Sequence, residues 1–323
     1  MATLALTPQA WFRQWWQSRL PYTDSWTLNQ RNIYILPTRA GFTFAATLIV
    51  MLLASINYQL NLGFALTFLL AGAGVVSMHL THGNLRGLTL HLRPSAPVYA
   101  GEPALLEVVL TNPGRDRAGL ALQFEDRRAL GDALSWADAP AGGQAVLHIS
   151  LVPPRRGWHA APTLVLSTVF PFGLFRAWTV WRPAARVLAW PRPEQPVPPL
   201  PNAPSSPGDE RPAPGRTGSE MDGVRPWRRG DTMRQVVWKK VARSGELVSR
   251  ETTGSAQREL WLAWGDSAGA GDKEQRLSRL AAWVLLAERE GIDCGLRLPG
   301  GEVSPGQGDA HRRAALDLLA QQP

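Results

Sequence analysis

The sequence predicts a multidomain membrane protein with an N-terminal two-helix transmembrane hairpin, an immunoglobulin-like β-sandwich and a small α/β domain. Three observations predict this fold class. Residues 40–85 contain no Lys, Arg, Asp or Glu. Residues 84–190 alternate short apolar runs with turn residues, which is typical of a β-domain. Residues 259–319 alternate strand-like with helix-like segments, as α/β domains do.

These patterns divide the chain of 323 residues into five segments. Residues 1–40 form an N-terminal interfacial amphipathic segment and residues 41–80 the transmembrane hairpin. Residues 84–190 form the β-sandwich, and residues 191–217 a proline-rich linker. Residues 218–323 form the last domain, which begins with a cationic motif.

The first segment contains an amphipathic helix. Thr7 followed by Pro8 is typical of an N-cap and a proline in the first helical turn. On a helix from there to Leu20, the bulky aromatic residues share one face, and they are Trp11, Phe12, Trp15 and Trp16. Such a helix lies in the headgroup layer of a membrane or packs against the protein's own soluble part, and the pattern fits both.

The charge-free stretch is too long for one membrane helix. A span needs about 20 residues, so residues 41–80 predict two spans with a break at Asn57–Asn61, where amide and phenol groups suit an interfacial turn. The small residues from Ala71 to Gly74 let a neighbouring helix approach closely. The alternative is a buried hairpin of a soluble protein, but soluble cores rarely run so far without a charge.

The flanking charges predict the orientation of the hairpin. Arg31 and Arg39 precede it, Arg86 and Arg93 follow it, and its turn is uncharged. By the positive-inside rule both flanks are cytoplasmic, which predicts a multi-pass protein of the bacterial inner (plasma) membrane with both termini in the cytoplasm. The opposite topology is the alternative.

The β-domain is predicted from six apolar runs separated by Gly, Pro and Asn. The runs are residues 88–92, 104–110, 120–124, 145–151, 163–166 and 177–181. Strands at this spacing favour an immunoglobulin-like sandwich, here without its disulfide. The proline-rich residues after Pro191 cannot form a helix or a central strand, which predicts an extended connector.

Composition restricts the partners and the chemistry. A net charge of +8 suits anionic lipid, nucleic acid or an acidic protein. The single cysteine, Cys294, excludes an intramolecular disulfide and fits a reducing compartment. The sequence contains no phosphate loop, dinucleotide fingerprint or cysteine cluster, so we expect no cofactor.

The most informative part of the soluble region is the cationic motif, residues 218–251. Seven basic residues and one acid, Asp231, lie between Val224 and Arg243. Asp231 can cap a following helix that ends at Gly245, and a strand resumes at Leu247. A mixture of Arg and Trp is typical of interface anchors. The alternative is a solvated basic helix that pairs with acids of the same stretch.

The cationic motif resembles the signature of the bacterial family called domain of unknown function 58. The shared positions include Gly218, Gly230 and Ala242, and those that the resemblance identifies as partner-binding are Glu220, Arg225, Trp227, Asp231, Arg234, Trp238, Lys239, Arg243, Arg250 and Glu251. The resemblance extends to the hairpin, to Arg156-Gly157 and to residues 170–175.

This resemblance implies a membrane-associated partner of a MoxR-type AAA ATPase and of transglutaminase-like membrane proteins. It also implies a fold like a truncated von Willebrand factor A domain around the motif. That fold binds a metal through Asp-x-Ser-x-Ser, whereas this chain has Asp266 without serines at the two required positions. We therefore expect no metal ion.

The leading hypothesis is thus a non-enzymatic, membrane-anchored scaffold or adaptor with a cytoplasmic protein-binding domain. An alternative is a membrane-associated nucleic-acid-binding protein, although nucleic acid is not the expected partner. A third is a serine hydrolase, because residues 265–269 fit Gly-x-Ser-x-Gly with Ser267 as nucleophile, Asp293 as acid and His311 as base. Too few residues follow Ser267 to build the large sheet of such hydrolases.

Overall fold

The computed structural model describes residues 21–130, 133–201, 224–226, 248–250 and 260–323. These residues form two compact units, which divide between Arg192 and Pro193. The first unit holds two long apolar helices and three sheets, and the second holds a three-stranded and a two-stranded sheet with its own helices. The predicted helical hairpin followed by sheet-rich regions is therefore confirmed. The predicted helix up to Leu20 lies outside the described residues.

The hairpin consists of α1 (Arg39–Tyr58) and α2 (Asn61–Leu85). Their 20 and 25 residues correspond to about 30 and 38 Å at about 1.5 Å per residue. The chain reverses at Gln59, which adopts the left-handed conformation with φ of 49°. The Gln59 N–H donates to the Ile56 carbonyl, and the Leu60 N–H donates to the Ser55 carbonyl. The break lies where the sequence predicts it.

The two helices are in close contact along one side only. A Cβ added at Gly63 would lie 2.2 Å from the Ser55 Oγ, and one added at Gly74 would lie 3.2 Å from the Phe44 ring. Gly72, by contrast, faces open space. In the most apolar 18-residue stretch of each helix, only 11% is buried in α1 and 17% in α2. Both helices are long and apolar enough to cross a membrane.

The sheets of the first unit take strands from both sides of the hairpin. Before the hairpin lie β1 (Tyr22–Thr23), β2 (Ser25–Thr27) and β3 (Tyr34–Pro37). After it come β4 (Thr89–Leu92), β5 (Val98–Tyr99), β6 (Ala104–Thr111), β7 (Arg117–Phe124), the short helix α3 (Arg127–Leu130), β8 (Leu134–Ala139), β9 (Gln144–Leu151), β10 (Gly157–Ala160), β11 (Leu164–Thr168), β12 (Phe175–Pro183) and β13 (Arg186–Trp190). Three short strands within the predicted interfacial segment, β1, β2 and β3, thus belong to the sheets.

Two of these sheets share one hydrophobic core. The larger has the order β1-β12-β11-β7-β8, with β3 also paired to β12, and the second has the order β2-β4-β6-β9. A three-stranded sheet, β10-β13-β5, completes the unit. The core combines Leu90 and Leu110 of the second sheet with Phe124, Leu164 and Trp181 of the first. Alternating burial along β9 follows from this one-sided packing.

The base of the hairpin is built into the first sheet. The Thr38 Oγ1 accepts a hydrogen bond from the Gly41 N–H at 3.1 Å, which caps α1, and donates one to the Gly173 carbonyl. At the end of α2, the Asn84 side chain donates to the Ala118 carbonyl at 2.7 Å and to the Thr168 Oγ1 at 2.9 Å. Both helices therefore leave the sheets from fixed positions.

Arg117 completes this base. Its guanidinium donates to the Gly83 carbonyl and, at 3.0 Å, to the Arg86 carbonyl. These carbonyls lie at the C-terminal end of α2, where a cation is favourable because it opposes the negative end of the helix dipole. Burial, and secondarily the charge of Arg115, lowers the pKa of Arg117.

The second unit contains a three-stranded sheet of order β16-β17-β18. Its elements are β14 (Val224–Pro226), β15 (Val248–Arg250), β16 (Leu260–Ala263), a 3-10 helix (Trp264–Ala270), α4 (Lys273–Glu290), β17 (Cys294–Leu298), β18 (Gly301–Gly306) and α5 (Asp309–Gln321). β16 and β17 are parallel, and β17 and β18 are antiparallel. Asp272 caps α4 by accepting from the Gln275 N–H, and Gly291 ends it in the left-handed conformation.

Candidate functional site

The cationic motif lies mostly outside the described residues. Of its ten predicted partner-binding residues, the structure describes the backbone of two, Arg225 on β14 and Arg250 on β15. The two strands pair antiparallel, with Arg225 opposite Ser249 and Arg250 opposite Val224. The strand predicted at Leu247 is present as β15. The positions outside the described residues are Glu220, Trp227, Asp231, Arg234, Trp238, Lys239, Arg243 and Glu251.

The beginning of the proline-rich linker lies against α4 of the second unit. Arg279 donates from Nε and Nη2 to the two carboxylate oxygens of Glu194, at 2.8 and 3.0 Å. The Glu194 N–H donates to the Ser278 carbonyl, and the Trp283 indole N–H donates to the carbonyls of Pro198 and Pro199. Residues 194–199 are thus held to one helix at three places.

The ion pair between Glu194 and Arg279 affects the titration of both groups. The hydrogen bond from Arg279 lowers the pKa of Glu194, and the same hydrogen bond raises the pKa of Arg279. A bidentate arginine–carboxylate pair of this kind fixes the relative orientation of the two side chains as well as stabilising their contact. Glu194, which precedes the motif in sequence, is therefore held in a fixed orientation on the surface of α4, which follows the motif.

The three residues of the hydrolase alternative are not joined by hydrogen bonds. Ser267 is buried in the 3-10 helix, where its hydroxyl donates to the Trp264 carbonyl at 2.8 Å and accepts from the Arg276 Nε at 3.3 Å. His311 lies on α5 beside Cys294, with 3.9 Å between Nε2 and Sγ. A nucleophile elbow needs an exposed serine with a histidine in contact. The described geometry does not provide one.

Cys294 borders a narrow hollow between α4, α5 and β17. The hollow is also lined by Glu288, His311 and Arg312, and Arg312 pairs with Glu288 at 3.3 Å. Burial raises the pKa of the Cys294 thiol to about 11. Because the thiolate is the nucleophile, a thiol that stays protonated at neutral pH does not favour catalysis. This thiol packs as an apolar group.

Asp266 holds the local backbone. Its Oδ2 accepts a hydrogen bond from the Ala263 N–H at 2.8 Å, which ties the start of the 3-10 helix to the end of β16. Within residues 21–130, 133–201 and 260–323, no group of three or more His, Cys, Asp or Glu side chains could hold a metal ion. The Asp266 carboxylate thus has a structural partner in the local backbone.

Sequence reasoning missed the junction between the hairpin and the sheets. Asn84 and Arg117 hold the end of α2, yet neither belongs to a recognisable motif. A usable signal was present at Asn84, because an amide at the end of an apolar helix needs partners when it is buried. Its partner Thr168 is distant in sequence, so only the fold identifies the pair.

The fold and these contacts define a class of protein: two helices long and apolar enough to span a membrane, fixed at one end to a β-domain and followed by a small α/β unit. No protein-family model matches the chain, and no curated protein matches it either.

Proposed function

We propose that this protein is a membrane-anchored scaffold or adaptor of the bacterial inner membrane. In this proposal the hairpin spans the bilayer, both termini are cytoplasmic, and the motif binds a protein partner. We propose further that the two larger sheets form an immunoglobulin-like sandwich, and that the second unit is a shortened von Willebrand factor A fold. The chain acts by holding a partner near the membrane.

One observation carries the proposal: the exposed apolar hairpin is fixed to the β-domain at its base, where α1 begins and α2 ends. A helix pair with so little of its apolar surface buried is unfavourable in water, and a bilayer is the environment that suits it. Thr38 and Asn84 tie the two helices to the same sheet. A membrane anchor with this rigid connection supports a role in positioning.

The nature of the partner follows from the motif and its resemblance. Seven cations between Val224 and Arg243 favour an acidic surface. The resemblance to domain of unknown function 58 favours a MoxR-type AAA ATPase, with which the protein would act in assembling or maturing a complex. A transglutaminase-like membrane protein is the second candidate partner. We propose no catalytic role for the described residues.

Affinity purification from native membranes tests the proposal. The variant carries Arg225→Glu, Arg234→Glu and Arg243→Glu, and we expect it to lose the ATPase that mass spectrometry identifies with the wild-type protein. The matched control reverses three arginines that lie outside the motif in the same unit and are exposed, Arg289, Arg297 and Arg313. Unchanged partners in the motif variant would contradict the proposal, as would equal loss in the control.

The salt dependence of binding distinguishes the nucleic-acid alternative from binding to a protein partner. Its motivating observation is the net charge of +8. Phosphate binding through several cations weakens steeply as salt rises, because bound counterions are released. A filter-binding signal with such a slope, lost on reversal of the three motif arginines, would favour nucleic acid over an ATPase.

A further inference from the structure

The turn between β11 and β12 exposes three large apolar side chains. We call residues 169–174 the phenylalanine turn. Val169 is 39% exposed, Phe170 45% and Phe172 66%. The Gly173 N–H donates to the Val169 carbonyl at 2.9 Å, so the turn is closed. Exposed apolar side chains that lie together mark a surface that binds a protein or a membrane.

The phenylalanine turn packs against the first turn of α1. The Leu174 carbonyl accepts a hydrogen bond from the Thr38 N–H at 2.9 Å. A Cβ added at Gly41 would lie 2.1 Å from the same carbonyl oxygen, so only glycine permits this approach. Phe42, which follows, is 65% exposed. The exposed apolar surface of the hairpin therefore continues onto the turn.

The register of the two helices gives the level of the turn along the hairpin. Ser55 packs on Gly63 and Phe44 on Gly74. The same antiparallel register places Thr38 level with Leu80. The last turn of α2, where Thr81, Asn84 and Leu85 are buried, thus runs past the start of α1 into the sheets. The phenylalanine turn lies where the apolar hairpin ends and the β-domain begins.

Positive charge around the hairpin base favours binding of this end of the first unit to an anionic surface. The exposed basic residues at or next to the hairpin base are Arg31, Arg39, Arg86, Arg115 and Arg176. Two nearby acids accept hydrogen bonds from the backbone: Asp138 on β8 accepts from the Gly119 N–H, and Asp116 in the loop before β7 accepts from the Ala141 N–H, each at 2.7 Å. Cations beside apolar and aromatic side chains are typical of the membrane interface.

We propose that the phenylalanine turn inserts into the interfacial layer of the bilayer that the hairpin spans, and so seats the β-domain on the anionic leaflet. The inference rests on the proposed membrane anchoring. It adds a third point of membrane contact to the two helices, which fixes the tilt of the β-domain as two closely packed helices alone do not.

Site-specific fluorescence in the full-length protein tests this inference. The protein carries Cys294→Ser and one new cysteine labelled with the fluorophore NBD, and is reconstituted as one copy per nanodisc with phosphatidylglycerol-containing lipid. Phe172→Cys is the test position and Phe68→Cys, in the middle of α2, reports hairpin insertion. The matched control is Leu105→Cys, which is 52% exposed. Leu105 is six residues along β6 from Thr111, the partner of Thr89, and so about 20 Å farther from the hairpin at about 3.4 Å per residue.

We expect doxyl groups placed shallowly in the acyl chains to quench NBD at position 172 severalfold more than at position 105. The quenching depth should correspond to about 5–10 Å, as for other interfacial apolar side chains. Introducing Phe172→Asp should reduce the quenching of a label at Val169→Cys to the level of the control. Both results together would support insertion of the turn.

Three other outcomes overturn the inference, and they differ in what else they contradict. Deep quenching at position 68 with none at position 172 leaves the membrane hairpin intact and refutes insertion of the turn. Absence of quenching at both positions refutes the proposed anchoring itself. Blue-shifted emission at position 172 without quenching by doxyl lipid places the turn against protein, either a partner or another segment of this chain.

Discussion

At the scale of single residues, burial decides the chemistry of Cys294. The thiol is buried beside the hollow that Glu288, His311 and Arg312 also line, and burial raises its pKa to about 11 from an ordinary value of 9.0. The chain contains one cysteine, so any thiol reagent reports on this residue alone. His311, whose Nε2 lies 3.9 Å from the sulfur, does not lower this pKa.

We therefore predict that iodoacetamide modifies the native protein slowly at pH 8. The raised pKa reduces the thiolate fraction by about 100-fold relative to the unfolded chain, since each pKa unit is a factor of about ten. Mass spectrometry of samples labelled with and without guanidinium measures the two rates, with Cys294→Ser as the blank. Equal rates would show that the thiol is accessible and ionised.

The same shift predicts how stability depends on pH. Between pH 9 and pH 11 the unfolded chain releases the thiol proton and the folded chain keeps it. The folded state then binds more protons, so the free energy of unfolding falls as pH rises through this window. Cys294→Ser should remove that part of the alkaline slope in melting curves of the detergent-solubilised protein, and an unchanged slope would contradict the assignment.

At the scale of elements, the junction between α1 and the phenylalanine turn depends on one glycine. We predict that Gly41→Ala lowers the melting temperature of the purified full-length protein, because its Cβ would lie 2.1 Å from the Leu174 carbonyl oxygen. Separating the two backbones should cost about 1–3 kcal/mol, the usual range for overpacking. Fluorescence-detected size-exclusion chromatography after heating measures the effect.

Gly72→Ala is the matched control, since it places the same methyl group on the other helix of the hairpin. Nothing lies within 4 Å of a Cβ at Gly72. Alanine is a better helix former than glycine by about 1 kcal/mol, so we expect equal or higher stability. Similar losses in both variants would mean that the glycine effect is general and not specific to the junction.

The attachment of the linker to α4 is a second property of elements. We predict that Glu194→Gln weakens it by about 0.5–1 kcal/mol at pH 7, the range for partly exposed ion pairs. Faster hydrogen exchange of the Glu194 amide, which donates to the Ser278 carbonyl, would report the loss. The control is Glu302→Gln, whose ion pair with Arg297 is about 58% exposed, and which should change nothing.

The stabilisation by the ion pair between Glu194 and Arg279 depends on pH as expected for a carboxylate with a lowered pKa. Arg279 keeps Glu194 ionised below its ordinary value of 4.5. The stabilisation is therefore complete above that value and is lost as pH falls through the lowered pKa. The difference between the wild type and Glu194→Gln should disappear in the same acidic range, and a difference that persists there would refute the ion-pair explanation.

Elements with local signals could be predicted from the sequence, and those without could not. The hairpin break follows from polarity, six strands of the β-domain follow from apolar runs between turn residues, and α4 belongs to the alternation of strands and helices predicted within residues 259–319. The strands of the first unit that were missed are β1, β2, β3, β5, β8, β10 and β13. β1, β2 and β3 have only two to four residues and pair with strands that are distant in sequence, as Tyr34 does with Trp178. Most of the motif lies outside the described residues, so its arrangement stays a prediction.

At the scale of the whole molecule, the hairpin and the sheets of the first unit form one compact body in which strands precede and follow the two apolar helices. β3 ends at Pro37 and α1 begins at Arg39, while α2 ends at Leu85 and β4 begins at Thr89. Both connections are short, and both ends are held by hydrogen bonds to the sheet. In the proposed membrane orientation, the β-domain therefore lies on the same side of the bilayer as the two helix ends that join it.

This constraint makes the orientation of the protein a single question with a sharp test. Arg39 and Arg86 flank the hairpin on the β-domain side, whereas the turn at Gln59 and Leu60 carries no charge. The positive-inside rule then predicts that the β-domain and the second unit are cytoplasmic and that the turn faces the periplasm.

Reporter fusions test this orientation. We expect a green fluorescent protein at Pro323 to fluoresce and alkaline phosphatase at the same site to be inactive. Alkaline phosphatase inserted after Gln59 should be active. Replacing Arg39 and Arg86 with Gln should weaken this preference. An active phosphatase at Pro323 in the wild-type chain would place the motif in the periplasm, where no cytosolic ATPase could reach it.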